Sequence, residues 1–331
     1  MIPTNPVDVK DRKISELLNA MSKTGFQGRK LGEAFRIWTE MLKEEEITIL
    51  MGLSGAMVPA GMRKILSWLI KNRYVDVLVS TGANIFHDIH EALGFKHYLG
   101  NEAVDDYALF KEGIDRIYDV FAFEKEFNQL DFLIADVFSN FEGVLSSREF
   151  FEELAKIISK KAKEKDSILI SAYEKGVPIF CPAIADSSIG IGGAVAKRRL
   201  IIDTIKDVEE LTEIVAKSKK TGVVYIGGGV PKNFIQQTEI VAKLKGWEVN
   251  GHEYAIQITT DNPQFGGLSG CTFEEGVSWG KINYNAKKVQ VNVDATIALP
   301  LLSHGLLDAK RISYPTFEWR DGLSIKYTHS N

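Results

Sequence analysis

Short β-rich runs alternate with amphipathic helical patterns along most of this chain, and this alternation constrains its fold more than any other feature. The predicted strands are Ile47–Leu53, Val75–Ser80, Phe132–Val137, Val177–Cys181, Val223–Ile226, Tyr254–Ile258 and Val289–Val293. Apolar residues at three-to-four spacing predict helices over Met57–Ile70, Arg148–Lys165, Val208–Lys219 and Pro231–Lys245. The pattern indicates an α/β fold, with a mainly parallel, doubly wound sheet and helices on both faces.

The first 45 residues contain no good strand and are predicted to form a helical N-terminal extension. Its two helices are expected over Ile14–Met21 and Leu31–Leu42. No Pro/Gly/Ser-rich linker or internal repeat interrupts the rest of the sequence. We therefore predict one α/β domain over residues 46–331 and a single compact domain overall.

Composition and charge argue against several classes of function. A formal net charge of −4 over 331 residues disfavours a nucleic-acid-binding protein. The most apolar runs, such as Ile47–Leu53, are far shorter than the ~18 residues that a membrane span requires. Cys181 and Cys271 lie far apart and lack the spacing of a zinc site or a disulfide framework. We expect a cytoplasmic protein with no metal, nucleic-acid or membrane partner.

Small-residue turns follow several predicted strands. They are Ser54–Ala56, Ser80–Asn84 and Gly227–Gly229. In a doubly wound sheet, ligands bind outside the carboxyl ends of the strands, where small residues let backbone N–H groups approach a phosphate. A complete GxGxxG motif is absent, and Gly190–Gly193 is only a weak match to it. The pattern favours a bound nucleotide, although a tight βα turn is the alternative at Gly227.

The segment Gly266–Lys281 contains the residues of a covalent amine site. Thr272 and Glu275 have the spacing of a capping box, and the short helix that they begin would end just before Lys281. A lysine desolvated beside an indole, here Trp279, loses part of its preference for the charged form, which frees the amine to form an imine. Glu275 could serve as both cap and proton shuttle. A capped helix followed by a solvated lysine is the alternative.

Asp294 and His87 are two further candidates. Asp294 follows the predicted strand Val289–Val293, where a carboxylate either bonds a ribose hydroxyl or caps the next helix. His87 and His90 lie within one helical turn, but a third metal ligand is missing. We therefore predict a polar or cofactor contact for His87.

Taken together, these motifs resemble the deoxyhypusine synthase family. The family segment SGxxxxEAxSWGK(I/V) is matched by Ser269-Gly270, Glu275 and Val277–Ile282. Upstream, the resemblance includes VDVLVSTGAN at Val75–Asn84, FCPAIADSSIG at Phe180–Gly190 and GGGVPK before Asn233. It extends over roughly residues 45 to 305, in the expected order.

The resemblance implies a Rossmann-like sheet, with residues 46–331 as an NAD-binding domain, and an NAD-dependent transferase that forms homotetramers with active sites between subunits. In that family NAD oxidises spermidine, 1,3-diaminopropane leaves, and the 4-aminobutyl group passes to the catalytic lysine as an imine. A lysine of a hypusine-bearing translation factor then displaces it, and the NADH formed earlier reduces the product. A small amine acceptor such as putrescine, a catalytically silent NAD-binding regulator and a plain dehydrogenase are the alternatives.

Position by position, the resemblance implies three groups of site residues. The catalytic group is Lys281 as the imine-forming amine with Trp279 and Glu275. The cofactor-binding group is Ser54, Thr81, Gly82, His87, Asp186, Gly228, Thr260, Asp261, Asp294 and Ala295. The substrate-binding group is Asn233, Gln237, Ile191 and Leu268.

The substrate-binding group departs from the family pattern. Asn233 stands where well-studied members have a histidine, and Ile191 and Leu268 stand where they have aspartates. Burying an ammonium group without a carboxylate costs several kcal/mol. We therefore expect either a different placement of spermidine or a substrate with fewer amines at that end.

Overall fold

The computed structural model describes residues 1–320 and 322–330. The chain divides into two compact units. The first unit consists of Met1–Ser54, Leu69–Val79 and Val208–Asn331, and the second of Gly55–Trp68 and Ser80–Asp207. This division does not follow the predicted boundary at residue 45, and the single domain with a helical extension stays a prediction.

Helices and strands alternate along the described chain. The helices are α1 (Ile14–Met21), α2 (Phe26–Leu42), α3 (Arg63–Lys71), α4 (Gly82–Ala92), α5 (Asp106–Glu112), α6 (Glu124–Ser139), α7 (Ser147–Lys161), α8 (Ile168–Lys175), α9 (Ser188–Val195), α10 (Thr204–Lys217), α11 (Gly229–Leu244), α12 (Phe273–Ser278) and α13 (Ala295–Gly305). The strands are β1 (Ile47–Leu53), β2 (Val77–Ser80), β3 (Tyr98–Leu99), β4 (Ile114–Ile117), β5 (Val120–Phe123), β6 (Val144–Leu145), β7 (Ile179–Phe180), β8 (Ile201–Ile202), β9 (Lys220–Ile226), β10 (His252–Thr259), β11 (Ile282–Asn292), β12 (Ser313–Glu318) and β13 (Ser324–His329). No helix in the described part of the chain is long and apolar enough to cross a membrane.

The first unit is built on a sheet with the strand order β11-β10-β9-β1-β2. β1 pairs with β9, β9 with β10 and β10 with β11, each time in parallel. All seven residues of β1 are buried, as expected for a parallel strand covered on both faces. Helix α2 packs on β10 and β11, and α11 packs on β1. The predicted mainly parallel α/β fold is confirmed.

A buried ionic cluster holds the first unit together beneath this sheet. Asp76 is fully buried and accepts hydrogen bonds from the Ile49 N–H and from Arg311 Nη2, both at 2.8 Å. Arg73 Nη2 lies 3.3 Å from the other oxygen of Asp76. Arg311 also donates to the Ile47 carbonyl at 2.8 Å. Because buried charges require such partners, the cluster fixes the segment around Arg311 against the start of β1.

The second unit is mainly helical, and a glycine run allows two of its helices to pack closely. Helix α9 packs on α6 and α4. It contains Gly190–Gly193, where a Cβ on Gly192 would lie 2.6 Å from Ile134 and one on Gly193 would lie 3.1 Å from Phe138. The weak match to GxGxxG is therefore a helix-packing surface, and it is not a phosphate loop.

One strand prediction is wrong. Phe132–Val137 lies inside α6, a helix of 16 residues. Phe132 and Asp136, four positions apart, are exposed, whereas Ile134, Val137 and Phe138 are buried. The apolar positions therefore follow the helical period, which a six-residue run is too short to reveal.

Candidate active site

Four of the predicted cofactor positions meet at one edge of the first unit's sheet. Ser54 follows β1, Gly228 follows β9, Thr260 follows β10 and Asp294 comes two residues after β11. These strands are parallel neighbours, so their carboxyl ends lie side by side. This is the edge at which doubly wound sheets bind ligands. Asp261 and Ala295 are the next residues at two of these strand ends.

The turn at Gly228 is formed by close contact between loops. Ser54 Oγ donates a hydrogen bond to the Gly228 carbonyl. A Cβ on Gly228 would lie only 2.4 Å from the Cα of Ser269, so the approach of these two backbones requires glycine. Helix α11 begins at the next residue, and its first N–H groups point out of the same turn. The turn thus combines a small residue with a helix N-terminus, as an anion site requires.

Asp294 caps helix α13. Its Oδ1 accepts hydrogen bonds from the N–H of Thr296 at 2.7 Å and from the Thr296 hydroxyl at 2.6 Å. These bonds hold the pKa of the Asp294 carboxyl below its ordinary value. Both of these bonds are to Oδ1, and the N–H of Ile297 also contributes to the lowered pKa of the carboxyl. The N-cap interpretation is confirmed, and Oδ2 takes part in neither bond from Thr296.

Lys281 stands directly after the short helix α12. Thr272 and Glu275 form the predicted capping box, with both of its hydrogen bonds present, and Gly280 ends the helix at φ +68°. The backbone bond from Thr272 and the hydrogen bond with its side chain lower the pKa of Glu275. The carboxylate of Glu275 is therefore engaged as a cap, and the structure does not show it free to carry protons.

The Lys281 amine lies among groups that were predicted to surround it. Nζ is 3.4 Å from Asn233 Oδ1 and 5.2 Å from the centroid of the Trp279 indole. Lys281 is half-buried, but the indole is 66% exposed. Gln237 is exposed one turn further along α11, and Leu268 is exposed in the loop before Ser269. The described chain thus brings Lys281, Trp279 and Asn233 together and leaves the indole mostly open to solvent.

Lys232 is a second lysine at this site, and the sequence did not identify it. It is only 1% exposed, and its Nζ donates to Gln257 Oε1 at 2.8 Å and to the Cys271 carbonyl at 2.5 Å. Burial, with a smaller contribution from the charge of Lys281, lowers the pKa of Lys232 to about 8, although Cys271 and Glu275 oppose the shift. A buried amine bonded to neutral oxygens is unusual for a purely structural lysine.

Gln257 links the two loops of the site. Its Oε1 accepts hydrogen bonds from Lys232 and from Gln290 Nε2 at 2.6 Å. Its Nε2 donates to the Gly227 carbonyl at 2.9 Å and to the Ser269 carbonyl at 2.8 Å. One buried amide therefore fastens the turn after β9 to the loop that leads to Lys281.

The second unit brings together the remaining predicted site residues. Thr81 caps helix α4. A Cβ on Gly82, the first residue of this helix, would lie 2.1 Å from Ser187 Oγ. The turn that contains Asp186 and Ser187 therefore contacts the start of α4. His87, Asp186 and Ile191 line one pocket of about 490 Å³, whose apolar wall includes Phe86, Ile117 and Phe127. The functional roles of all these residues stay predictions.

The family model and the most similar named relatives agree on one family. The family model described as deoxyhypusine synthase matches residues 16–306. The protein named "Probable deoxyhypusine synthase 2" of Archaeoglobus fulgidus is 72% identical over 297 residues, which cover 90% of this chain and 99% of that protein. "Probable deoxyhypusine synthase 1" of the same organism is 42% identical over 305 residues, covering 92% and 97%. A crystal structure assigned to a deoxyhypusine synthase of Entamoeba histolytica has a TM-score of 0.63 at 17% identity, covering 92% of this chain and 98% of that one, and shows the shared fold.

Proposed function

This chain belongs to the deoxyhypusine synthase family, whose members are transferases, and we propose that it moves a 4-aminobutyl group from a polyamine to an amine acceptor in an NAD-dependent reaction. The observation that supports the proposal most directly is the setting of Lys281. Its amine lies beside an indole and an amide oxygen, and no carboxylate in the described residues is hydrogen-bonded to it. Such an amine is available to attack a carbon electrophile.

The chain's own residues account for binding and covalent transfer. Lys281 forms the imine with the aminobutyl group, and the acceptor amine then displaces it. The Trp279 indole provides an apolar surface for the methylene chain, and Asn233 orients the Lys281 amine. Lys232, a buried amine whose pKa is lowered to about 8, supplies a group that can exchange a proton near neutral pH. NAD, when bound, would accept a hydride from the polyamine and return it to the product.

The residues at the carboxyl ends of the first unit's parallel strands have the properties that binding of NAD requires. The Gly228 turn is a cradle that a side chain would fill, and the start of α11 offers unpaired N–H groups to a pyrophosphate. Oδ2 of Asp294, which takes part in neither bond from Thr296, can accept a hydrogen bond from a ribose hydroxyl. These features support the dinucleotide as the cofactor of the proposed reaction.

Asp294→Ala is expected to weaken NAD binding by about ten- to hundredfold, because a hydrogen bond to a charged oxygen contributes roughly 1.5–3 kcal/mol. Isothermal titration calorimetry with NAD measures the change. The substitution also removes the cap of α13, so Asp294→Ser, which retains a capping oxygen but is too short for the ribose, is the matched control. Unchanged affinity in folded Asp294→Ala protein would leave Asp294 with the capping role alone.

The amine specificity of this chain is proposed to differ from that of family members with an acidic pocket. Ile191 is 53% exposed in the second-unit pocket and Leu268 is 48% exposed in its loop, so both present aliphatic surface where aspartates would hold an ammonium group. Archaeoglobus fulgidus has two proteins with this family name, and this chain is more similar to the one numbered 2 than to the one numbered 1. This similarity supports a substrate that differs from that of the first form.

We expect spermidine to be a poor aminobutyl donor for this protein in a kinetic panel of di- and triamines. The acceptor panel should contain a hypusine-type translation factor and putrescine, which distinguishes a protein acceptor from the homospermidine-forming alternative.

Ile191→Asp combined with Leu268→Asp should raise turnover of spermidine, whereas Val195→Asp, on the same helix as Ile191, should not. If spermidine were the best donor by a wide margin, the proposal that Ile191 and Leu268 disfavour spermidine would be refuted. Binding of NAD with no transfer to any acceptor would favour a silent regulator.

We further propose that the protein works as a homotetramer. The exposed indole of Trp279 and the exposed Leu268 would place apolar surface in water beside the reactive amine, and a second copy could cover them. Light scattering of the purified protein tests this proposal, which a monomer at assay concentration would rule out.

A further inference from the structure

A chain of hydrogen bonds in the second unit ends at His87. His87 and Glu91 lie one turn apart on α4, and His97 lies between them. His97 Nε2 is 3.0 Å from His87 Nδ1, and His97 Nδ1 is 2.8 Å from Glu91 Oε1. The other oxygen of Glu91 is 2.6 Å from Arg63 Nε. We call Glu91, His97 and His87 the histidine relay.

Aromatic rings hold the imidazole of His87 in place. Phe127 meets it edge to face with ring centroids 5.4 Å apart, and Phe86 does the same at 5.7 Å. Phe127 also packs on His90 at 4.9 Å and on His97 at 6.4 Å. Contacts on two sides leave the ring little freedom to turn, so its hydrogen-bonding atoms keep fixed directions.

With His97 in its neutral form, the relay determines which nitrogen of His87 carries the proton. Burial raises the pKa of Glu91, but the hydrogen bond from His97 and the charge of Arg63 outweigh it, so the pKa lies below its ordinary value and the group is a carboxylate. A carboxylate only accepts hydrogen bonds, so His97 Nδ1 must be the donor to it. A neutral His97 then has a lone pair on Nε2, and His87 must donate to it from Nδ1–H.

The second nitrogen of His87, Nε2, is therefore left with a lone pair. No residue in the described part of the chain hydrogen-bonds to this atom. The ring lines the 490 Å³ pocket together with the carboxylate of Asp186. Burial lowers the pKa of His87 to about 3, which keeps the ring neutral. A neutral acceptor next to a carboxylate suits a ligand that donates hydrogen bonds.

We propose that Glu91 and His97 are positioning residues that lock His87 as the Nδ1–H tautomer, so that its Nε2 accepts a hydrogen bond from a hydroxyl or amine group bound in this pocket. The identity of the ligand, the ribose of NAD or a polyamine, rests on the proposed function. The tautomer does not, because it follows from the relay geometry with His97 in its neutral form.

The tautomer is measured first, in protein with 15N-labelled histidine, by long-range 1H–15N correlation at about pH 8.5, above the range in which imidazole usually titrates. We expect His87 to be protonated at Nδ1 in the unmodified protein. His97→Phe, which keeps an aromatic ring of similar size, should remove this preference. His97→Gln should retain it, because its amide oxygen can accept from His87 while its N–H group donates to Glu91. Finding His87 protonated at Nε2 in the unmodified protein would overturn the proposal, whether or not the variants fold.

Binding of NAD and of spermidine is then titrated separately against the same three proteins. For the ligand that His87 contacts, we expect His97→Phe to lower affinity by about tenfold and His97→Gln to change it by less than about threefold. A changed tautomer with unchanged affinity for both ligands would refute the role of His87 Nε2 in recognition. If the unmodified protein bound neither ligand, the proposed function would fail, whereas the tautomer measurement would still decide the positioning role.

Discussion

Replacing Lys281 with alanine is expected to abolish the covalent adduct that borohydride fixes when the protein is incubated with NAD and a polyamine. Borohydride reduces an imine to a stable secondary amine, so mass spectrometry of peptides should find the added aminobutyl group on Lys281. Turnover should fall by about three orders of magnitude or more in Lys281→Ala, because the covalent intermediate is assigned to the Lys281 amine. Lys281→Arg should be equally inactive, since a guanidinium forms no such imine.

Two other lysines provide the controls for this experiment. Lys287 is an exposed residue of β11 that is ion-paired with Glu40. Lys287→Ala should form the same adduct on Lys281 and turn over the polyamine at the same rate as the unmodified protein. Lys232 is the buried neighbour whose amine is bonded to Gln257 and Cys271. Label on Lys232, with full activity in Lys281→Ala, would show that the assignment of the nucleophile is wrong.

Asp76→Ala is expected to lower the free energy of unfolding by about 3–5 kcal/mol, the cost usually seen when one partner of a buried ion pair is removed. Asp76 is fully buried, and both Arg73 and Arg311 contact it. The substitution also removes the acceptor of the Ile49 N–H in the central strand β1. Urea denaturation at one fixed protein concentration measures the loss.

Asp76→Asn is the matched variant for this prediction. It is nearly isosteric and can still accept the Ile49 N–H, but it carries no charge toward the two guanidinium groups. We expect its free energy of unfolding to lie between that of Asp76→Ala and that of the unmodified protein. A loss below about 1 kcal/mol in Asp76→Ala would mean that the cluster contributes little to stability.

The fold could be predicted from the sequence where periodicity and turn signals agreed. The prediction for Ile47–Leu53 was confirmed to the residue, because a short β-branched run ends there in a Ser-Gly turn. Phe132–Val137 was misassigned because the helical period of α6 becomes visible only over its full length. The division into two units was not foreseen, since the chain crosses between them several times without a linker.

The candidate site was predicted only where local sequence patterns carry the information. The capping box and Gly280 could be identified because helix termini have local rules. Lys232 could not, because a lysine is normally solvated and its burial depends on Gln257, 25 positions away. His97 was overlooked for a similar reason, since its partners lie on a helix that ends before it.

The single amide of Gln257 has a thermodynamic consequence for how ligands bind. Because it joins the Gly227 carbonyl to the Ser269 carbonyl, the two loops can hardly be ordered independently of each other. A ligand that fixes one loop therefore reduces the conformational entropy that remains to be lost when the other is fixed. The coupling is reciprocal, so each ligand must raise the affinity for the other by the same factor. Cofactor and amine are thus expected to bind with positive cooperativity, in addition to any coupling from the direct contact that hydride transfer requires.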